Sequence, residues 1–233
     1  MTMTIEKITH SIRQTVFSLF ETNFGKRPEA VRVSANEKCL IIRIEGFLGS
    51  IMETMIAEKS HGALNSTREL IVGYMLSQLD EDLSSELNLD VAHFYYDWND
   101  SDLSCIISVV LRENEHYALD DPYPGKEEVH QKVVDITQKV QKVPEKIHSF
   151  WVDGDFLVVI RGGLLIELET ALLEDDHESA LRIAKRKVEK RYFAQKMNLA
   201  EIVGRQPTGV YLDWAFDLDR SMIVYSFDSE TSR

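Results

Sequence analysis

The chain repeats itself. Pro28-Glu29 returns as Pro144-Glu145 (144 − 28 = 116), and the same offset carries Ile44, Gly46 and Leu48 onto Ile160, Gly162 and Leu164. Glu53-Thr54 falls on Glu169-Thr170, His61 on His177 and Leu83 on Leu199. Tyr95, Asp97 and Trp98 fall on Tyr211, Asp213 and Trp214, and Ile107 on Ile223. One constant offset that includes the rare pair Asp-Trp sets the domain count before any local reading. The expected organisation is repeat 1 over 1–112, a linker over 113–126 and repeat 2 over 127–233. The stretch from Arg112 to Gly125 is rich in acids and ends in Pro-Tyr-Pro-Gly, which suits a linker.

One unit is read as follows. Ile5, Ile8, Ile12, Val16, Leu19, Phe20 and Phe24 recur at steps of mostly three and four, which predicts an amphipathic helix over 4–24. Gly25 suits its end and Pro28 forbids its continuation. Val129, Val133, Ile136 and Val140 repeat the pattern. Two strands follow, near 29–34 and 39–47. In the second copy their turn is Val152-Asp153-Gly154-Asp155, a strong hairpin signal because Gly accepts the positive φ of a tight turn. A short helix near 50–58 comes next, then a long one near 66–87 with an expected apolar stripe of Leu70, Ile71, Tyr74, Leu79, Leu83 and Leu87. Its counterpart is expected to carry Leu181, Ala184, Val188, Tyr192, Leu199 and Val203. Two last strands, near 91–97 and 103–111, and near 209–216 and 221–227, close each unit. The fold class is therefore α+β: two α-β-β-α-α-β-β units, each an antiparallel four-stranded sheet covered by helices, packed as a pseudo-dimer.

Composition narrows the function. With 39 acids against 26 bases the net charge is −13, the sign opposite to that of a nucleic-acid binder. The longest apolar runs fall far short of the roughly 20 residues needed to span a bilayer. The N-terminus lacks the apolar core of a secretory signal, and two cysteines make no disulfide framework. A cytoplasmic location, peripheral to a membrane at most, is the expectation.

Copy one also reads Gly25-Lys-Arg-Pro28-x-x-Val31-Arg32, then Ile41-Ile-Arg-Ile-Glu-Gly46-x-Leu48, then Glu53, Gly62, Leu64 and Arg68. This resembles the MpsC-like domain family. Copy two matches more loosely: it keeps Pro144, Gly162, Leu164, Glu169, Val203-Gly-Arg205 and Asp213, but lacks the glycine-basic pair before its proline and has Glu178 in place of Gly62. The resemblance implies a bacterial, cytoplasmic protein linked with a membrane-potential-generating system that moves sodium or inorganic carbon. It implies no reaction and no catalytic residue.

The candidate site residues each have a plain structural alternative. Asp97-Trp98 and Asp213-Trp214 suit a small-molecule pocket, or a turn and a covering indole. His61 and His177 suit an acid, base or pH sensor, or a cap. Glu53 and Glu169 suit a cation or proton site, or a helix start favoured by the dipole. Arg43 has no copy, since Val159 stands at its offset, and it suits a cross-strand ion pair. Arg182, Lys185, Arg186, Lys187, Lys190 and Arg191 make one helix basic, either as a solvated face or as a strip for anionic lipid or an acidic partner. No Cys-x-x-Cys, His-Glu-x-x-His or phosphate-binding glycine motif occurs, so no cofactor or metal is expected.

The leading expectation is a non-enzymatic accessory or regulatory module beside a membrane cation or inorganic-carbon transport system. Its partner would be a membrane transport subunit or an acidic protein, and the chain itself a monomeric pseudo-dimer or a higher homo-oligomer. The alternatives are a small-molecule sensor with its ligand between the repeats, and an enzyme of unknown reaction.

Overall fold

The computed structural model describes residues 5–47, 54, 58, 61–111 and 121–228. The chain divides into two compact units, Met1–Glu115 and His116–Arg233. Unit 1 runs α1 (Ile5–Phe24), β1 (Ala30–Ala35), β2 (Leu40–Glu45), α2 (His61–Leu87), β3 (Val91–Asn99) and β4 (Ser104–Leu111). Unit 2 runs α3 (Lys126–Val140), β5 (Lys146–Val152), β6 (Phe156–Gly162), α4 (Glu167–Glu174), α5 (Glu178–Lys196), α6 (Leu199–Val203), β7 (Gly209–Ala215) and β8 (Arg220–Ser226). The short helix expected near 50–58 lies outside the described residues, apart from Thr54 and Glu58.

Each unit is an α+β fold around a four-stranded antiparallel sheet, and the two strand orders correspond: β1-β2-β4-β3 and β5-β6-β8-β7. The local chemistry explains the chain reversals. Asn36 Oδ1 accepts the N–H groups of Lys38 and Cys39, both at 2.9 Å, and this closes the first hairpin as an Asx turn. In unit 2 Asp153 and Gly154 both have positive φ, as a primed hairpin turn requires.

The ladders set the two units against each other residue by residue. Val31, Ile44, Cys105 and Trp98 form one rung of the first sheet. Ile147, Arg161, Ser221 and Trp214 form the matching rung of the second. Ile44 therefore corresponds to Arg161, not to Ile160. The shift arises in the first hairpin: Ala35 pairs with Leu40, but their counterparts Trp151 and Leu157 enclose one residue more. The glycine that follows moves with it. Gly46 and Gly163 both have positive φ, and a Cβ on either would lie within 2.3 and 2.5 Å of the side chains of Glu29 and Glu145. Each of these glutamates donates its N–H to the residue before the glycine, Glu45 or Gly162, at 2.9 Å.

The helices turn different faces inward than their apolar spacing suggests. On α2 the buried residues are Leu64, Arg68, Val72, Met75, Leu79 and Leu83, whereas Leu70 is 76% exposed and Tyr74 is also exposed. On α5 the buried residues are Leu181, Lys185, Glu189 and Phe193, one full turn apart, while Ala184 and Val188 face solvent. The long helix expected to run as far as Val203 is two helices, since α5 caps at Met197 and α6 begins at Leu199. On α5, Lys185 and Glu189 take core positions beside buried charged partners, and on α2 the buried Arg68 pairs with the largely exposed Asp100 at 2.6 Å.

Candidate functional site

Unit 2 carries a buried charge network on its sheet-helix junction. Arg161, at the end of β6 and with no solvent exposure, donates three hydrogen bonds: Nε to Ser221 Oγ at 2.9 Å, Nη1 to Thr137 Oγ1 at 2.8 Å and Nη2 to Glu189 Oε2 at 2.7 Å. Thr137 in turn donates to Val133 O at 2.7 Å. The guanidinium lies over the Phe193 ring at 5.4 Å. Four elements, α3, β6, α5 and β8, thus meet on one side chain.

The second cation is Lys185, one helical turn before Glu189. Its Nζ donates to Glu169 Oε1 at 2.8 Å, lies 3.7 Å from Glu189 Oε1 and sits over Trp214 at 5.3 Å. Glu169 also accepts Gln141 Nε2, at 3.0 and 2.8 Å on its two oxygens, and the backbone N–H of Ile166 at 3.3 Å. It is presented by α4, whose entry loop is held by Asp219. The Asp219 side chain accepts the N–H groups of Leu164 and Leu165 at 2.7 and 2.9 Å, and its carbonyl accepts Gly163 N–H at 3.0 Å.

Two carboxylates and two cations leave the network neutral. A buried charge is tolerated only when paired and hydrogen-bonded, and both cations meet that condition. Burial pushes the nearby Tyr225 hydroxyl far above the ordinary phenol range, an effect Arg161 partly offsets.

Unit 1 keeps a cation at the position of Lys185, the buried Arg68, which pairs with Asp100 at 2.6 Å, and fills the other matching positions with apolar or weakly polar side chains. Arg68 over Trp98, at 5.1 Å, is the counterpart of Lys185 over Trp214. One turn further on, Val72 stands where Glu189 stands, and on the sheet Ile44 and Cys105 stand for Arg161 and Ser221. Phe20, four residues after the buried Val16, takes the place of Thr137 four residues after Val133. Phe20 packs on Phe47 at 5.2 Å, and Phe47 on Trp98 at 5.3 Å.

The expected site residues are distributed as follows. Trp98 and Trp214 lie in the two helix-covered cores, and Asp97 and Asp213 are buried beside them. Asp97 Oδ1 accepts Trp98 N–H at 2.7 Å. Asp213 is clasped by Arg182 and by Arg186 at 3.2 Å. Arg182 also donates to Trp214 O at 2.9 Å and to Glu178 at 2.7 Å, and lies over Phe216. Arg43 pairs with Asp102 at 2.8 Å and Glu45 at 3.0 Å. His177 is exposed at the start of α5, and its N–H donates to Leu172 O. Glu53 and the His61 side chain lie outside the described residues.

The basic helix is thus split by its own geometry. Arg182, Lys185 and Arg186 turn inward to carboxylates, while Lys187 and Arg191 are exposed and Lys190 lies over Tyr211 at 6.0 Å. The residues sequence reasoning missed are Arg161, Glu189, Gln141, Thr137 and Ser221. The available signal was Arg161 closing the apolar run Phe156–Ile160. A second missed cluster joins the buried Ser149 Oγ to Tyr123 Oη and to His130 Nε2 of α3, each at 2.7 Å. Among the described residues, no group of three or more His, Cys, Asp or Glu side chains is arranged to hold a metal ion.

Residues 4–113 match the family described as Na+-translocating membrane potential-generating system (MpsC). No curated protein and no solved structure matches the chain.

Proposed function

We propose that this chain, whose residues 4–113 form an MpsC-like domain, is a non-enzymatic accessory or regulatory module of a membrane cation or inorganic-carbon transport system. The family match over unit 1 carries the reading. Among the described residues no helix is long and apolar enough to cross a membrane, so attachment would run through a membrane subunit or the lipid surface. The exposed cations of α5, Lys187 and Arg191 with Lys190 beside them, supply the contact to anionic lipid or to an acidic segment of the partner. In unit 2 the carboxylates of Glu169, Glu189 and Asp213 are held by cations of the fold itself, which supports a structural and not a catalytic role for them.

The test is affinity capture of the tagged chain from native membranes, combined with gene deletion. Recovery of an integral membrane transport subunit and a loss of sodium-dependent or bicarbonate uptake on deletion are the expected results. Capture without any membrane protein, together with unchanged uptake, would overturn the proposal.

A further inference from the structure

We propose that the Arg161–Glu189 pair keys the helical layer of unit 2 to its own sheet, so that two units of the same architecture cannot exchange helices while folding. The strand orders correspond, and so do the rungs Val31–Ile44–Cys105–Trp98 and Ile147–Arg161–Ser221–Trp214. Shape alone therefore distinguishes the two sheets poorly. Charge distinguishes them sharply.

Consider α2 settled on the second sheet. It would bring Val72 to the position of Glu189, and Arg161 would be buried without a carboxylate. With α1 in place of α3, Phe20 would replace Thr137, and the guanidinium would lose a second acceptor. Consider the reverse exchange. With α5 on the first sheet, Glu189 would lose Arg161 and be buried against Ile44 and Cys105, with only Lys185 of its own helix, 3.7 Å away, to answer it. Removing one member of a buried ion pair is strongly destabilising, whereas replacing both by apolar groups is often neutral. The correct assembly thus gains little from the pair, and the wrong ones are penalised by it. That is specificity by rejection, and repeated domains are the chains most exposed to such misassembly. The secondary pair Lys185–Glu169 lies within unit 2 and ties α5 to α4, so the keyed unit includes both helices.

The inference is independent of the proposed function. Its test uses the full-length chain, unfolded in urea and refolded at micromolar concentration, with the products resolved by size exclusion and light scattering. Exchanged dimers form only through unfolding and persist on dilution, which separates them from surface association. The variant Thr137→Phe, Arg161→Ile, Glu189→Val, Ser221→Cys gives unit 2 the residues of unit 1. It is expected to refold with a several-fold larger fraction of persistent dimer than the unchanged chain. The reciprocal variant Phe20→Thr, Ile44→Arg, Val72→Glu, Cys105→Ser gives both units the pair and is expected to do the same. Refolding of the variants that fold to the same species distribution as the unchanged chain would overturn the proposal. So would failure of both to fold, because the network would then be a requirement of the core and not a discriminator.

Discussion

Arg161 and Glu189 meet at 2.7 Å with both side chains buried, on the rung and helical turn that Ile44 and Val72 occupy in the other unit. Two units with one strand order thus solve the same junction in opposite ways. The apolar solution depends on area and packing. The ionic one depends on partners, and its members should respond to substitution as a set.

Glu189→Val alone leaves Arg161 buried with no carboxylate and should cost about 3–5 kcal/mol. Arg161→Ile with Glu189→Val should cost much less than the two single changes added together. Urea denaturation of the four members of this double-mutant cycle measures the coupling. Additive losses would show that the pair is not coupled.

The inward faces of the long helices make a second prediction. Leu79 is buried on α2 and Leu70 is exposed. Leu79→Ala should cost about 2–5 kcal/mol, and Leu70→Ala should stay within about 0.5 kcal/mol. Thermal or urea unfolding of the two variants distinguishes this helix rotation from the one that apolar spacing suggests.

Glycine substitutions test the register of the two units. Gly46 and Gly163 share a positive φ and a close approach to a glutamate side chain, whereas a Cβ on Gly162 would meet its nearest neighbours at 3.9 Å. Gly46→Ala and Gly163→Ala should each lose more than about 1 kcal/mol, through a backbone conformation that alanine resists. Gly162→Ala should be nearly neutral. A large loss at Gly162 and none at Gly163 would show that the extra hairpin residue had been misplaced.

Burial pushes the Cys39 thiol from its ordinary value near 9 up to about 12. Between those values the folded chain holds a proton that the unfolded chain has released. Stability from this thiol is therefore full below pH 9 and falls as pH rises towards 12, by about 1.4 kcal/mol per pH unit for one proton. Cys39→Ala should flatten that part of the alkaline profile, as read by urea midpoints from pH 8 to 11. Near pH 8 the native thiol should also resist alkylation until the chain unfolds.

The outward cations of α5 allow function to be separated from stability. Lys187→Glu with Arg191→Glu should abolish capture of the membrane partner while moving the Tm little, since both side chains are exposed. Asp213→Asn, which weakens the clasp of Arg182 and Arg186, should destabilise unit 2 instead. Parallel capture and thermal unfolding of the two variants check this.

Much of the fold is legible in the residues. Gly25, Pro28 and the Asp153-Gly154 turn place the chain reversals to within a few positions, because these signals act over a handful of neighbouring residues. Helix orientation was not legible. Leu70 and Tyr74 read as core and are exposed, while Lys185, one of the cations weighed as a solvated face, is buried, as are Arg68 and Glu189. The candidate residues of the basic helix fared likewise: a run of six cations looks uniform until the chain folds and turns three of them to carboxylates.

By itself, then, the sequence determined that there are two units, their order of helices and strands, and where the chain reverses. Only the tertiary structure decided that Arg161 answers to Ile44, and that the junction closed by Arg161 and Glu189 in unit 2 is filled by Ile44 and Val72 in unit 1. The physical reason is distance along the chain. A charged side chain is buried or exposed according to whether a partner reaches it, and the partners of Arg161 stand 24, 28 and 60 positions away. No local pattern carries that information.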